Sequence, residues 1–284
     1  MKTLTQPIKR HGGKRYLADK IIDLMPPRVK NPNAPALDDP GWVHYVEPYF
    51  GGGAVLLAQD PEGIGEVVND IDYDLTNFFA VLRSEELFPK FQRQAESMPC
   101  SSMEFDIAET TLRESECAVA KAVAFFVRNR QSRQALGKDF ATLAKTRTRR
   151  GMNELPSAWL GAIEGLPEIH ARLQRVVILN DDAMKVIRQQ DGPRTLFYLD
   201  PPYCHSTRTV TDAYQHEMTE MDHRALLELI GSIEGRFLLS GYRSALYDEF
   251  ANHFEWRRVD FEIDNKAGSG DTKRKMVESV WMNY

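Results

Sequence analysis

Strand-length apolar runs sit at both ends of this chain and vanish from its middle, and this restricts its possible folds more than any other feature. Val43–Tyr49 and Glu66–Asp70 come early, with helical spacing at Ala54–Gln59 and Tyr73–Leu82. Val176–Leu179, Leu196–Asp200, Phe237–Ser240, Trp256–Phe261 and Val277–Trp281 come late, separated by helical patterns such as Ala225–Glu234. Strands that alternate with helices build a mostly parallel sheet with helices on its faces. Between residues 83 and 172 only helical spacing is left, as in Glu114–Val127 and Leu155–Glu164. The expected organisation is an α/β sheet domain made of residues 1–82 and 173–284, with a mainly helical insert at 83–172.

The composition, 42% hydrophobic and 27% charged, excludes a disordered or fibrous chain. No apolar run approaches the ~20 residues that span a bilayer, and Met1–Arg10 lacks the apolar core of a signal peptide, so no membrane association is expected and the cytoplasm is the expected location. Cys100, Cys117 and Cys204 are far apart, so neither a zinc site nor a disulfide framework is expected, and no metal. The net charge of -5 conceals one basic segment. Arg128, Arg130, Arg133, Lys138, Lys145, Arg147, Arg149 and Arg150 stand there against Asp139 alone. Such a run is either a solvated helical face or a polyanion site. Within it, Asn129–Gln134 offers the side-chain types that read base edges. Phe125 and Phe126, just before, fit an apolar core stripe.

Two places carry chemistry. In Tyr45–Val55, YVEPYFGGGAV, a strand runs into three glycines, which let the backbone turn sharply and a ligand approach the main chain. Asp70, 17 residues beyond Gly53 at the end of the next strand, stands where a carboxylate holds ribose hydroxyls. The loop has neither the GxGxxG order of dinucleotide enzymes nor a GK[ST] ending, so a nucleoside cofactor other than NAD or ATP fits it. The second place is Asp200-Pro201-Pro202-Tyr203, at the carboxyl end of the apolar run TLFYLD. Its carboxylate and proline carbonyls are acceptors and Tyr203 is a flat face, a set that suits a planar amine. The plain alternative is an extended turn with an incidental acid. Cys204–Thr219, with Arg208 and Tyr214, fits either a closing loop or a surface linker. Asn265–Lys275 is a polar loop, and His11, His205 and His216 have no carboxylate at fixed spacing and read as loop residues.

These residues, in this order, resemble the Dam-like family of DNA adenine methyltransferases nearly end to end. Lys9–Lys14 (KRHGGK) is similar to that family's N-terminal cofactor motif, Val46–Val55 to its glycine loop and Asn69–Leu75 to its acidic strand end. DPPY at 200–203, Ser240–Tyr242 and Asn283-Tyr284 follow in the family's order. The resemblance implies a Rossmann-like sheet that takes S-adenosylmethionine as cofactor, with the helical insert as the DNA-recognition part and double-stranded DNA as partner. It implies cofactor contacts from Arg10, Lys14, Glu47, Pro48, Tyr49, Gly51, Gly53, Asp70 and Asp200. Catalysis at N6 of a flipped adenine falls to Asp200, Pro201, Pro202 and Tyr203, and DNA contacts to Arg128, Asn129, Arg130, Arg133, Lys138, Arg147, Arg149 and Arg150. Arg10 and His11 stand where the family has tryptophan and alanine, and Tyr49 where phenylalanine is common. The segment that reads GATC in some members has no match, so no target sequence carries over. A methyltransferase acting on RNA or on protein glutamine would also present a planar amine, and a non-catalytic DNA-binding module would keep the basic insert without needing Asp200.

Overall fold

The computed structural model describes residues 4–10, 13–31, 38–39, 41–141, 147–203, 218–264 and 275–284. His11, Lys145, most of the Cys204–Thr219 loop with His205, Arg208, Tyr214 and His216, and residues 265–274 lie outside the described residues. Numbered along the chain, the elements run α1 (Ala18–Leu24), β1 (His44–Glu47), β2 (Gly65–Asn69), α2 (Tyr73–Arg83), α3 (Phe88–Ser97), α4 (Ser102–Glu114) and α5 (Ala118–Arg130). There follow β3 (Thr148–Arg149), β4 (Met152–Asn153), α6 (Glu154–Glu164), α7 (Leu166–Leu173), β5 (Val176–Leu179), α8 (Ala183–Gln190) and β6 (Thr195–Leu199). The last are α9 (Glu220–Ile230), β7 (Arg236–Gly241), α10 (Ala245–His253), β8 (Arg257–Asp264) and β9 (Lys275–Met282). They form two compact units: Met1–Asp19, Phe50–Asp60 and Asp70–Asn180 in one, Lys20–Tyr49, Pro61–Asn69 and Asp181–Tyr284 in the other.

The second of these units holds the strand order β2-β1-β6-β7-β9-β8. β2, β1, β6 and β7 are mutually parallel, with Glu47 opposite Val68, Val46 opposite Phe197 and Leu199 opposite Leu239. β9 and β8 run antiparallel to complete that edge. All five residues of β6 are buried, as a continuous apolar run must be when both faces of a parallel sheet are covered. Because the four parallel strands are in register, Asn69, Pro48, Asp200 and Tyr242 fall together along their carboxyl ends, where ligands bind in open α/β sheets. The helices between them are capped by their own sequence. Asp182 accepts from the Lys185 amide, Ser244 takes the Tyr247 amide, and Thr219 with Asp222 closes a capping box on α9.

In the first unit α2 packs on α5 and α7. Asp72 caps α2 through the Leu75 amide at 3.2 Å. Phe78, fully buried, has its ring 5.2–5.8 Å from those of Phe79, Phe91, Phe125 and Phe126, a cluster that agrees with the core assignment of the last two. Among the described residues of 83–172 the regular elements are helices and the β3–β4 hairpin. The expected single helix Glu114–Val127 is broken between α4 and α5, where the Ser115 hydroxyl takes the Cys117 amide at 3.1 Å and so competes with helical pairing. Ala54–Gln59 is not a regular helix but a series of turns. The amides of Leu57 and Gln59 reach the carbonyls of Gly53 and Val55, but the Leu56 carbonyl is taken by Arg172 at 3.0 Å and that of Leu57 by the Leu4 amide at 3.4 Å. Residue 61, whose amide would extend the ladder, is proline.

Candidate active site

In the first unit the glycine turn is built on left-handed backbone, with φ of 54° at Gly51 and 68° at Gly53. The Gly51 amide donates to Asp70 Oδ2 at 2.9 Å, and the Asp72 amide donates to Asp70 Oδ1 at 3.0 Å. Each carboxylate oxygen is thus anchored to the main chain and keeps a further lone pair for a hydroxyl. Burial pushes the Asp70 carboxyl above the usual carboxylate range, against the pull of the Arg10 guanidinium and the two amides. Arg10 itself is held by Asp72, Nη2 to Oδ2 at 3.3 Å, while its Nε is buried with no hydrogen-bond partner among the described residues. Among the described residues a Cβ at Gly51 would meet nothing within 4 Å, so the main chain there is open to an approaching ligand. Arg10, Gly51, Gly53 and Asp70 are therefore gathered locally, with Asp72 and Gln6, which donates to the Gly52 carbonyl at 2.9 Å. Lys14 sits in the 3-10 turn Lys14–Tyr16, 3% exposed.

In the second unit Asp200 directly follows β6, and Pro201 is buried. The Tyr203 hydroxyl donates to Glu278 Oε1 at 2.5 Å and lies 3.4 Å from Asp200 Oδ1, and its ring meets Tyr242 edge-on at 4.6 Å. Burial and the two carboxylates hold the phenol well above the tyrosine range, so it stays protonated and donates. Within the sheet the Tyr198 hydroxyl pairs with Ser240 at 3.1 Å, and Tyr45 donates to Glu47 Oε1 at 2.8 Å. Glu47 is 1% exposed, a buried acid with a phenol partner, and Pro48 is buried as well. Burial, with Asp182 and Asp222, pushes the Tyr49 phenol up. Asn69 donates to the carbonyls of Pro48 and Asp181, 3.0 Å each, and accepts the Asp181 amide at 2.9 Å, tying the ends of β1 and β2. Sequence reasoning did not single out Glu278, Asn69 or Asp72. For Glu278 a signal existed: an acid inside the apolar strand MVESVWM.

The basic segment, all in the first unit, divides into two classes. Arg128 stacks over Phe105 at 3.9 Å, pairs with Glu109 at 3.3 Å and donates to the Gly137 carbonyl. Asn129, 8% exposed, gives both ends of its amide to the Lys9 backbone, at 2.9 and 2.7 Å. Arg130 donates to the Ala158 carbonyl at 3.1 Å, and burial beside Arg15 pulls its guanidinium down to about 10, still charged at neutral pH. Arg133, Lys138, Arg147, Arg149 and Arg150 are exposed. Arg150 forms a two-point ion pair with Glu164 at 2.9 and 3.1 Å, and Arg147 lies 3.9 Å from Glu154. Arg149 belongs to the β3–β4 hairpin, whose turn Arg150-Gly151 has φ of 56° and 72°, the signature of a tight primed turn.

Among the described residues no group of three or more His, Cys, Asp and Glu is placed to hold a metal ion, and no helix is long and apolar enough to cross a membrane. A Type II methyltransferase, M1.LlaDCHI of Lactococcus lactis subsp. cremoris, is 23% identical over 292 residues, spanning 96% of this chain and 93% of that one. Among solved structures, the rRNA methyltransferase aviRa from Streptomyces viridochromogenes is similar at a TM-score of 0.37 and 13% identity, over 94% of this chain and 83% of that one. The family model for D12 class N6 adenine-specific DNA methyltransferases matches residues 11–261. The chain belongs to that family, whose members transfer a methyl group from S-adenosylmethionine to the exocyclic amine of adenine in DNA.

Proposed function

We propose that the enzyme is site-specific and acts on double-stranded DNA, with the target adenine turned out of the duplex. In this reading residues 1–82 and 173–284 perform the chemistry and residues 83–172 find the target. The carrying observation is DPPY at the carboxyl end of buried strand β6, with Tyr203 held by Glu278 and Tyr242. S-adenosylmethionine supplies, when bound, a methyl group activated on a sulfonium sulfur. The first unit's residues fit its nucleoside. Asp70 keeps lone pairs for ribose hydroxyls, and among the described residues Gly51 leaves the main chain open and Arg10 has a buried Nε without a hydrogen-bond partner and a flat guanidinium able to lie on adenine. Lys14 and Gly53, in the same unit, support that set.

The amine of adenine is a weak nucleophile because its lone pair is shared with the ring. Asp200 and the Pro201 carbonyl accept hydrogen bonds from its two N–H groups, which favours the pyramidal nitrogen, and Asp200 takes the one proton released on methylation. Turning the base out costs a few kcal/mol, offset by stacking on Tyr203 and by phosphate contacts. The exposed Arg133, Lys138, Arg147 and Arg149 supply those contacts, whereas Arg128, Asn129 and Arg130 shape the segment that carries them. The Type II name of the Lactococcus relative supports a place in a restriction-modification pair, in the cytoplasm with the DNA.

Asp200→Ala tests the assignment. Labelled methyl transfer to plasmid DNA should fall by roughly 10²–10³-fold, the usual loss on removing one preorganised hydrogen-bonding group, while DNA affinity is kept. Transfer at the wild-type rate would remove Asp200 from the chemistry. Sequencing the methylated plasmid for modified adenines maps the target site.

A further inference from the structure

We infer that Glu278 is a positioning residue for methyl transfer, holding the Tyr203 hydroxyl and so fixing the ring on which the target adenine rests. This rests on the reading of Tyr203 as the platform for the base. Glu278 lies in β9, 1% exposed, and a buried carboxylate is tolerated only where hydrogen bonds replace its water. The Tyr203 hydroxyl is one such partner, at 2.5 Å. Strand register explains why these residues meet. Gly241 of β7 pairs with Ser279 of β9, so the next residue on each strand is Tyr242 and Glu278. Tyr203 touches both, one through its ring edge and the other through its hydroxyl. The hydroxyl contact fixes the far end of the ring and the Tyr242 contact limits rotation about its long axis, so the pair favours one orientation of its face.

The tether also settles where a proton goes. The hydroxyl has a single proton, and Asp200 Oδ1 lies within reach at 3.4 Å. Given to the nearer Glu278, that proton is not shared with Asp200. Without Glu278 the hydroxyl is drawn to Asp200 and competes with the substrate.

The test is a double-mutant cycle read by single-turnover methyl transfer from labelled S-adenosylmethionine to plasmid DNA, with thermal melts to check folding. Glu278→Ala should lower the transfer rate roughly ten- to a hundredfold, the rate equivalent of one hydrogen bond to a charged group, with the KM for DNA little changed. Glu278→Gln, which still accepts a hydrogen bond, should recover most of the rate. Tyr203→Phe should lose a similar factor, and adding Glu278→Ala to it should cost nothing further. A wild-type rate in Glu278→Ala, an effect confined to KM, or an undiminished loss in the Tyr203→Phe background would overturn the inference. If Glu278→Ala does not fold, Tyr203→Phe decides, since a wild-type rate there means that the tether does no work. Tyr203→Ala separates the two ideas. A wild-type rate in that variant refutes the platform itself, whereas an inactive Tyr203→Ala beside a fully active Tyr203→Phe refutes only the tether.

Discussion

The three glycines of the turn should respond very differently to alanine, and the differences follow from what each Cβ would meet. At Gly51 the new carbon finds nothing within 4 Å, so the only penalty is the left-handed backbone at φ 54°, about 1–2 kcal/mol. At Gly53 the same backbone penalty applies at φ 68°, and the carbon would also lie 2.6 Å from the Phe50 ring. Phe50 is 5% exposed and packed edge-on against Phe79 at 4.8 Å, so it has little room to move, and overpacking adds roughly 1–3 kcal/mol. At Gly52 the carbon meets Gln6 Nε2 at 2.6 Å, a flexible side chain that can withdraw for the loss of one hydrogen bond, about 1 kcal/mol. Gly53→Ala should therefore melt lowest, about 2–5 kcal/mol below wild type against about 1–2 for Gly51→Ala, at roughly 2–4 °C per kcal/mol. Cofactor affinity should instead fall most in Gly51→Ala among the folded variants. The Gly51 methyl projects into the space by which we propose the cofactor approaches, and calorimetry should show affinity reduced about tenfold or more. Equal melting of Gly51→Ala and Gly53→Ala, or unaltered cofactor binding by Gly51→Ala, would refute the reasoning.

If the hairpin arginines meet phosphates, Arg147→Ala with Arg149→Ala should lower the slope of log affinity against log salt by about 2, one unit for each phosphate no longer neutralised. Fluorescence anisotropy on a duplex at several salt concentrations checks this, and an unchanged slope would take the DNA off the hairpin. In a Cys204→Ser background, Ellman's reagent at pH 8 should label the exposed Cys117 first. Burial pushes the Cys100 thiol up to about 11, leaving about one thiolate in a thousand at that pH; equal labelling would contradict its burial.

The sheet was legible wherever burial on both faces leaves an uninterrupted apolar run. β6 is all buried, and its expected bounds agree with the observed ones to one residue. DPPY was legible for a related reason, since its acid follows such a run directly. The turns at Ala54–Gln59 were not, because their spacing is helical and only distant partners, Arg172 and Leu4, divert the carbonyls. The β3–β4 hairpin escaped because two residues per strand are too few to show alternation. Glu278 escaped for another reason. Its partner Tyr203 is 75 residues away, and no local spacing connects a strand-buried acid to the phenol that satisfies it.

The basic segment shows where a count of charges stops being informative. Arg128, Asn129 and Arg130 are consecutive on the last turn of α5, and consecutive helical residues point about 100° apart. Three neighbours cannot all face one DNA backbone. One covers Phe105, one closes on the Lys9 main chain, and one reaches the Ala158 carbonyl. In extended chain successive side chains alternate faces, so residues two apart point the same way. Arg147 and Arg149 are two apart, the spacing that puts side chains on one face of extended chain, and both are exposed. Charge on the last turn of α5 is therefore committed to the fold while that of the hairpin is exposed, which is why the salt slope should respond to the hairpin arginines and not to Arg128.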